Sequence, residues 1–105
     1  MKVLFDQGTP VPLRRHLVEY LVSTASEKGW SDLDNGDLIE RAEQAGFEVL
    51  ITTDQNMRYQ QNIAGRRLAV LVLLSTAWPK IQLKTEVIQE ALTRISPGEF
   101  KEVPI

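Results

Sequence analysis

Short apolar runs alternate with amphipathic stretches along the chain. Residues 2–6 read Lys-Val-Leu-Phe-Asp, a run of strand-forming residues that the turn sequence Gly8-Thr9-Pro10 ends. Residues 47–53 and 68–74 are two longer runs, nearly continuous in apolarity, which is typical of strands covered on both faces. A weaker strand of small residues is predicted at 22–25.

Three helices are predicted between and after these strands. The first begins at Pro12 and the second ends at Gly46, positions that suit proline and glycine respectively. The third runs from Lys80 to Ile95 and ends near Pro97. Their apolar positions recur at helical spacing: Leu13, Leu17, Val18 and Leu21, then Leu38, Ile39, Ala42 and Ala45, then Ile81, Leu83, Val87, Ile88, Ala91, Leu92 and Ile95.

This alternation predicts an α/β fold of three layers. A central, mainly parallel sheet of about four strands is expected, with helices on both faces. The chain has 105 residues, which suits a single domain spanning 1–105. Its 43% apolar and 25% charged residues are ordinary for a folded globular protein and argue against disorder.

Composition narrows the function classes. A net charge of −2 argues against a protein that coats nucleic acid by bulk electrostatics, but a local basic patch remains open. The chain has no cysteine, so thiolate metal sites and thiolate nucleophiles are excluded. The longest apolar run, 68–74, is far shorter than the roughly 20 residues that cross a bilayer, and the first residues lack a signal-peptide core. A cytoplasmic protein without membrane contact is predicted.

Three aspartates are candidates for chemistry. Asp6 and Asp54 each follow a predicted strand, and ligands of open parallel sheets bind at the carboxyl ends of the strands. Asp37 stands at the start of the second helix, which would face the same edge. Carboxylates grouped in this way suit Mg²⁺ or Mn²⁺, hard cations that prefer oxygen ligands.

Simpler interpretations of these residues stay open. Asp54 could be a solvent-facing turn residue, because Thr-Asp-Gln-Asn is good turn composition. Asp37 and Glu40 could form a capping box in which Asp37 accepts a backbone hydrogen bond. His16 has no second histidine with which to hold a metal, and the chain has neither a nucleophile elbow nor a glycine-rich phosphate loop.

A mixed stretch after Asp54 is the candidate for binding nucleic acid. Arg58, Arg66 and Arg67 could contact phosphates, and Tyr59 could stack on a base. The same stretch could equally be an exposed polar helix between two strands.

Three segments together resemble a known family. Val3-Leu4-Phe5-Asp6 with Pro10, then Asp37-Leu38-Ile39 with Ala42, then residues 49–54, Val-Leu-Ile-Thr-Thr-Asp, are similar to compact bacterial PIN-like proteins of unknown function. Those proteins resemble a shortened PIN domain, the fold of metal-dependent ribonucleases that include the toxins of toxin–antitoxin pairs. The likeness covers residues 2 to about 74.

The resemblance implies a site and an activity. Asp6, Asp37 and Asp54 would be catalytic residues and ligands of Mg²⁺ or Mn²⁺, which would activate water against an RNA phosphodiester. The chain departs from the pattern at two positions, where Gln7 and Asn56 replace carboxylates of many family members. Both departures remove negative charge that favours a divalent cation.

Two functions are therefore predicted as alternatives. The first is a metal-dependent ribonuclease, with a toxin as one form of it, in which Arg58 or Arg66 holds the RNA backbone. The second is a catalytically degenerate PIN-like domain that binds RNA or a protein. An antitoxin-like protein is a candidate partner, and the C-terminal helix from Lys80 to Ile95 could mediate a homodimer.

Overall fold

The computed structural model describes residues 1–57 and 65–105 of the protein. Within them the strands are β1 (Lys2–Phe5), β2 (Leu21–Thr24), β3 (Val49–Thr52), β4 (Ala69–Leu73) and β5 (Phe100–Val103). A 3-10 helix spans Val11–His16, and the α-helices are α1 (Asn35–Gln44), α2 (Trp78–Gln82) and α3 (Thr85–Arg94).

The five strands form one all-parallel sheet in the order β2-β1-β3-β4-β5. The predicted α/β class is therefore confirmed. The sheet has one strand more than the predicted four, because β5 was not expected from its sequence, Phe-Lys-Glu-Val. β5 is an edge strand, with β4 as its neighbour on one side. Two of its four residues are charged, so it lacks the apolar run of a central strand.

Helices cover both faces of the sheet. Successive side chains of a strand point to opposite faces, so Val3 and Leu4 belong to different halves of the core. One half is completed by the 3-10 helix, α2 and α3, which contribute Leu13, Ile81, Ile88 and Leu92. The other half is completed by α1, through Leu38, Ile39 and Ala42. β3 and β4 are buried along their whole length, as their apolar runs predicted.

The first predicted helix is wrong in both kind and length. A short 3-10 helix ends at His16, and the chain then turns into β2 at Leu21. Leu13 and Leu17 are buried as predicted, whereas Val18 and Leu21 are 83% and 70% exposed. The helical spacing of these last two residues was therefore fortuitous, since neither contributes to a buried helix face.

The second and third predicted helices differ less from the structure. α1 ends as expected, with Gly46 in the left-handed region at a φ of 85° immediately after the C-cap. The predicted helix from Lys80 to Ile95 is two helices, α2 and α3, which are separated by Leu83 and Lys84. Within the described residues, no helix has the length and apolarity to cross a membrane.

Candidate functional site at the carboxyl edge

The strand order places a crevice at the carboxyl ends of β1 and β3. The chain passes from β1 to β2 on one side and then crosses to β3 on the other side of β1. Parallel sheets bind ligands where the strand order reverses in this way. Phe5 lies beside Ile51 in the register, so Asp6 directly follows β1 next to the end of β3. Asp6 and Asp54 therefore both lie at this edge, as predicted.

Two threonine hydroxyls hold the Asp6 carboxylate. Thr52 Oγ1 donates to Asp6 Oδ2, and Thr9 Oγ1 lies 2.7 Å from Asp6 Oδ1. Thr9 Oγ1 is also 2.8 Å from the carbonyl oxygen of Ile51, so its single proton is shared between two acceptors. Thr52 is fully buried and Thr9 nearly so, while Asp6 is half-buried. These contacts fix the carboxylate and leave each of its oxygens a second lone pair.

Thr52 also connects Asp6 to Asp54. Its hydroxyl oxygen accepts a hydrogen bond of 3.0 Å from the backbone N–H of Asp54. The Asp54 carboxylate in turn accepts 2.9 Å bonds from the backbone N–H of Asn56 at Oδ1 and from the Asn35 side-chain amide at Oδ2. The two aspartates thus belong to one hydrogen-bonded network with Thr52 between them.

Asn35, rather than Asp37, is the residue of α1 that reaches this network. Asp34 is the N-cap of α1, and its Oδ1 accepts a 2.8 Å bond from the Asp37 backbone N–H. The prediction that Asp37 itself caps the helix is therefore wrong, and Asp37 lies exposed in the first turn. Among residues 1–57 and 65–105 no group of three or more His, Cys, Asp or Glu side chains is placed to hold a metal ion.

The sequence search missed Asn35 because it weighed carboxylates only. A signal was available, since an uncharged polar residue stands one position after the N-cap aspartate, at the helix end that was expected to face the sheet edge. The site as built contains two carboxylates, an amide and two hydroxyls. Oxygen donors of this kind suit a hard divalent cation, and hydrogen-bonded carboxylates are typical of metal ligands. Asp6 and Asp54 thus provide charged oxygen ligands of the kind that Mg²⁺ or Mn²⁺ prefers, while the amide and the two hydroxyls hydrogen-bond within the network.

Gly8 allows the loop after β1 to pack against the end of β3. A Cβ atom built on Gly8 would lie 2.8 Å from Thr53 Oγ1, closer than real Cβ contacts. The φ of Gly8 is not positive, so the constraint at this position is the contact itself.

A Gly8→Ala variant is expected to lose about 1–3 kcal/mol of unfolding free energy, because the added methyl overpacks the buried Thr53 hydroxyl. Chemical denaturation measures the loss. Thr53→Ala removes the clashing oxygen, so the double variant is expected to lose less than the two single losses added together. If the two single losses of unfolding free energy simply add in the double variant, the contact between residue 8 and Thr53 does not determine how this loop packs.

The predicted arginines lie elsewhere or outside the described residues. Arg58 falls within 58–64 and is not described. Arg66 and Arg67 precede β4, at the amino-terminal edge of the sheet. They are separated from the aspartate edge by the length of β4, roughly 17 Å at 3.3 Å per residue. These two arginines therefore do not contact Asp6 or Asp54.

Glu43 of α1 holds the chain where it enters β4. Its Oε2 accepts backbone hydrogen bonds from Arg67 at 2.9 Å and Leu68 at 3.2 Å, and its Oε1 lies 3.5 Å from the Arg66 guanidinium. The Leu68 N–H bond, followed by the Arg67 N–H bond and the two arginine charges, lowers the pKa of Glu43, although desolvation opposes the shift. Glu43 thus contacts the Arg66 side chain and the backbone of Arg67 at this edge.

A Glu43→Gln variant is expected to be about 1 kcal/mol less stable near neutral pH. The loss is small because water screens the charge of this partly exposed carboxylate. The folded pKa is lowered, so this stabilisation is present above the ordinary value of 4.5 and is lost as the pH falls through the folded pKa. Thermal melts of both proteins at neutral and acidic pH measure the difference. Glu40→Gln, at an exposed position of the same helix, is the matched control. A difference that persists unchanged in acid would contradict the assignment.

Comparison of the chain with family profiles, with curated proteins and with solved structures finds no match to any of them. The function is therefore argued from the site and from the motif resemblance.

Proposed function

We propose that this protein is a divalent-cation-dependent ribonuclease of the PIN kind, with Asp6 and Asp54 as its charged cation ligands. The observation that carries the proposal is that Asp6 and Asp54 both lie at the β1–β3 switch point, where the Thr52 hydroxyl joins the Asp6 carboxylate to the backbone N–H of Asp54. The parallel sheet between two helical layers also agrees with a PIN-like architecture. The motif resemblance supplies the choice of RNA as the substrate.

In such a site some residues of the chain would bind the cation and others would orient its ligands. Asp6 and Asp54 would hold Mg²⁺ or Mn²⁺, which when bound polarises a phosphodiester and lowers the pKa of a coordinated water. Thr9 and Thr52 orient the Asp6 carboxylate by donating to both of its oxygens. Asn35 orients Asp54 from the start of α1. Preorganised ligands of this kind lower the cost of binding the cation.

Titration with Mn²⁺ tests the cation site directly. Millimolar Mn²⁺ is expected to raise the melting temperature of the protein, because a ligand that binds only the folded state stabilises it. Asp54→Asn is expected to abolish most of that rise. Asp32→Asn, at an exposed position of the loop before α1, is expected to retain it. An absent shift in the unsubstituted protein would argue strongly against the proposal.

Cleavage of single-stranded RNA tests the activity. Mn²⁺-dependent cleavage is expected to be lost in both Asp6→Asn and Asp54→Asn, since each removes a charged ligand. Cleavage that survives in Asp6→Asn would come from a contaminant or from another site.

A second candidate function is a binding module that needs no cation. One specific observation favours it: neutral donors of the protein contact each oxygen of both carboxylates, and Asn35 provides an amide where a third carboxylate would strengthen a metal site. RNA binding that persists in EDTA and in Asp54→Asn would support this function over the ribonuclease.

The partner predictions remain proposals. A toxin role requires an antitoxin-like protein, and a small neighbouring gene whose product binds this chain would support it. The homodimer through the C-terminal helices would have to use Leu83 and Val87, which are 83% and 46% exposed. Light scattering of Leu83→Glu against the unsubstituted protein tests that contact.

A further inference from the structure

The two edges of the sheet differ in how they are protected. β5 carries Lys101 and Glu102 and is followed by Pro104, features that discourage another strand from pairing with it. β2 reads Leu-Val-Ser-Thr and has neither a charge nor a proline. Within residues 1–57 and 65–105 no strand pairs with its outer side.

Val22 presents its backbone on the open side of β2. The N–H groups of Leu21 and Ala25 donate to Met1 and Phe5, so these positions face β1. Backbone groups along a parallel strand point alternately to either side, so the N–H and carbonyl of Val22 face outward. The outward N–H of Thr24 is already taken by Glu27 Oε1 at 2.8 Å. An added strand would therefore pair with the edge at Val22.

A groove of about 470 Å³ runs beside this edge. Its apolar lining includes Val18 and Leu21, which are among the most exposed large apolar side chains of the described residues. Among the residues that the structure describes, its charged lining consists of Arg14 and Arg15. The Arg14 guanidinium is 2.5 Å from Glu27, while Arg15 is exposed. An apolar and basic groove beside an open strand is complementary to an acidic peptide with apolar residues at alternate positions.

We propose that β2 and this groove bind an extended acidic peptide segment of a partner protein by strand addition. Backbone hydrogen bonds to Val22 would provide the pairing, and the groove would select the side chains, as in other cases of strand addition. The exposed apolar side chains Val18 and Leu21 give a peptide contacts that the phosphates and riboses of RNA would not use.

A second copy of the chain fits the same surface poorly. Two copies that paired antiparallel about Val22 would bring the same groove of each to one interface. Arg14 of each copy is already paired with Glu27, so the charge that each groove adds is that of Arg15, and two such arginines would meet without an acid from the lining to balance them. Charge therefore favours an acidic peptide over self-association.

A capped, fluorescein-labelled peptide of four Glu-Val repeats tests the proposal by fluorescence anisotropy. Saturable binding is expected, and Arg15→Glu is expected to weaken it at least about tenfold. Lys101→Glu makes the same charge change at the opposite edge and is expected to alter binding by less than about twofold. If Arg15→Glu does not fold, Arg15→Gln makes the smaller change, and circular dichroism checks both variants.

Two altered peptides separate the contributions. Lysine in place of glutamate is expected to abolish binding, because it reverses the charge facing the groove. Proline at the central positions is expected to abolish it as well, because it removes the N–H groups needed for strand pairing.

Four outcomes would overturn the proposal. The first two are an absence of saturable binding up to about 1 mM peptide and equal binding of the glutamate and lysine peptides. The third is a dimer of the protein that Leu21→Glu dissociates. The fourth is displacement of the peptide by a uridine oligonucleotide, if Arg15→Glu also weakens the binding of that oligonucleotide. None of these results depends on the ribonuclease activity, so failure here would leave the proposed function intact.

Discussion

An Asn35→Asp variant is expected to bind Mn²⁺ about 10- to 100-fold more tightly than the unsubstituted protein. The amide of Asn35 donates a 2.9 Å hydrogen bond to Asp54 Oδ2, so an isosteric aspartate would place a carboxylate directly against that of Asp54, at the edge that also holds Asp6. Three negative charges attract a divalent cation more strongly than two, and this gain is expected to exceed the loss of the hydrogen bond that orients Asp54. Calorimetric titration with Mn²⁺ measures the gain.

Without metal the same variant is expected to be about 1–3 kcal/mol less stable, because it loses a hydrogen bond and brings two like charges together. Stability should therefore fall in EDTA and recover on addition of Mn²⁺. Asn35→Ala is the control, since it removes the amide without adding charge. It should be less stable in EDTA, and Mn²⁺ should stabilise it no more than it stabilises the unsubstituted protein. Equal Mn²⁺ affinity of Asn35→Asp and Asn35→Ala would show that α1 does not border a cation site.

A Thr52→Val variant is expected to lose about 3 kcal/mol of unfolding free energy. The Thr52 hydroxyl donates to the Asp6 carboxylate and accepts from the Asp54 backbone N–H, and the residue is fully buried. Valine keeps the shape but leaves the N–H without this acceptor and a charged acceptor without this donor. Urea denaturation monitored by circular dichroism measures the loss.

Thr93→Val provides the matched control for this substitution. The Thr93 hydroxyl donates to the Gln89 carbonyl on the exposed surface of α3, where water can replace the lost bond. A change of only a few tenths of a kcal/mol is expected there. Similar losses in the two variants would mean that the Asp6–Thr52–Asp54 network adds little to stability.

The apolar pattern predicted the centre of the fold better than its edges. β3 and β4 are buried on both faces, so nearly every residue in them had to be apolar and the runs were visible in the sequence. Strand β5 lies at an edge and has two adjacent charged residues, Lys101 and Glu102, between its apolar ends, so it does not stand out as an apolar run. Val18 and Leu21 fall at helical spacing after Leu13 and Leu17, yet they are exposed, because the chain leaves the helix at His16. Spacing alone does not record where a helix ends.

The same distinction explains the candidate site. Asp6 and Asp54 could be placed because parallel strands bring their carboxyl ends to one edge, whatever the details of packing. The contribution of α1 depended on where that helix begins, and Asp34 rather than Asp37 caps it. Sequence patterns locate helix starts only to within about two to four residues, which was enough to direct attention to Asp37 instead of Asn35.

The register of the sheet has a consequence for how the site is assembled during folding. Val3 pairs with Val49, whereas Lys2 pairs with Leu21, Val49 with Ala69 and Val70 with Phe100, so β1–β3 is the strand pair whose members lie farthest apart in sequence. Contacts between distant segments cost the most loop entropy and tend to form late. Asp6 and Asp54 should accordingly come together after the folding transition state. A cation held between them would then slow unfolding while leaving the folding rate nearly unchanged.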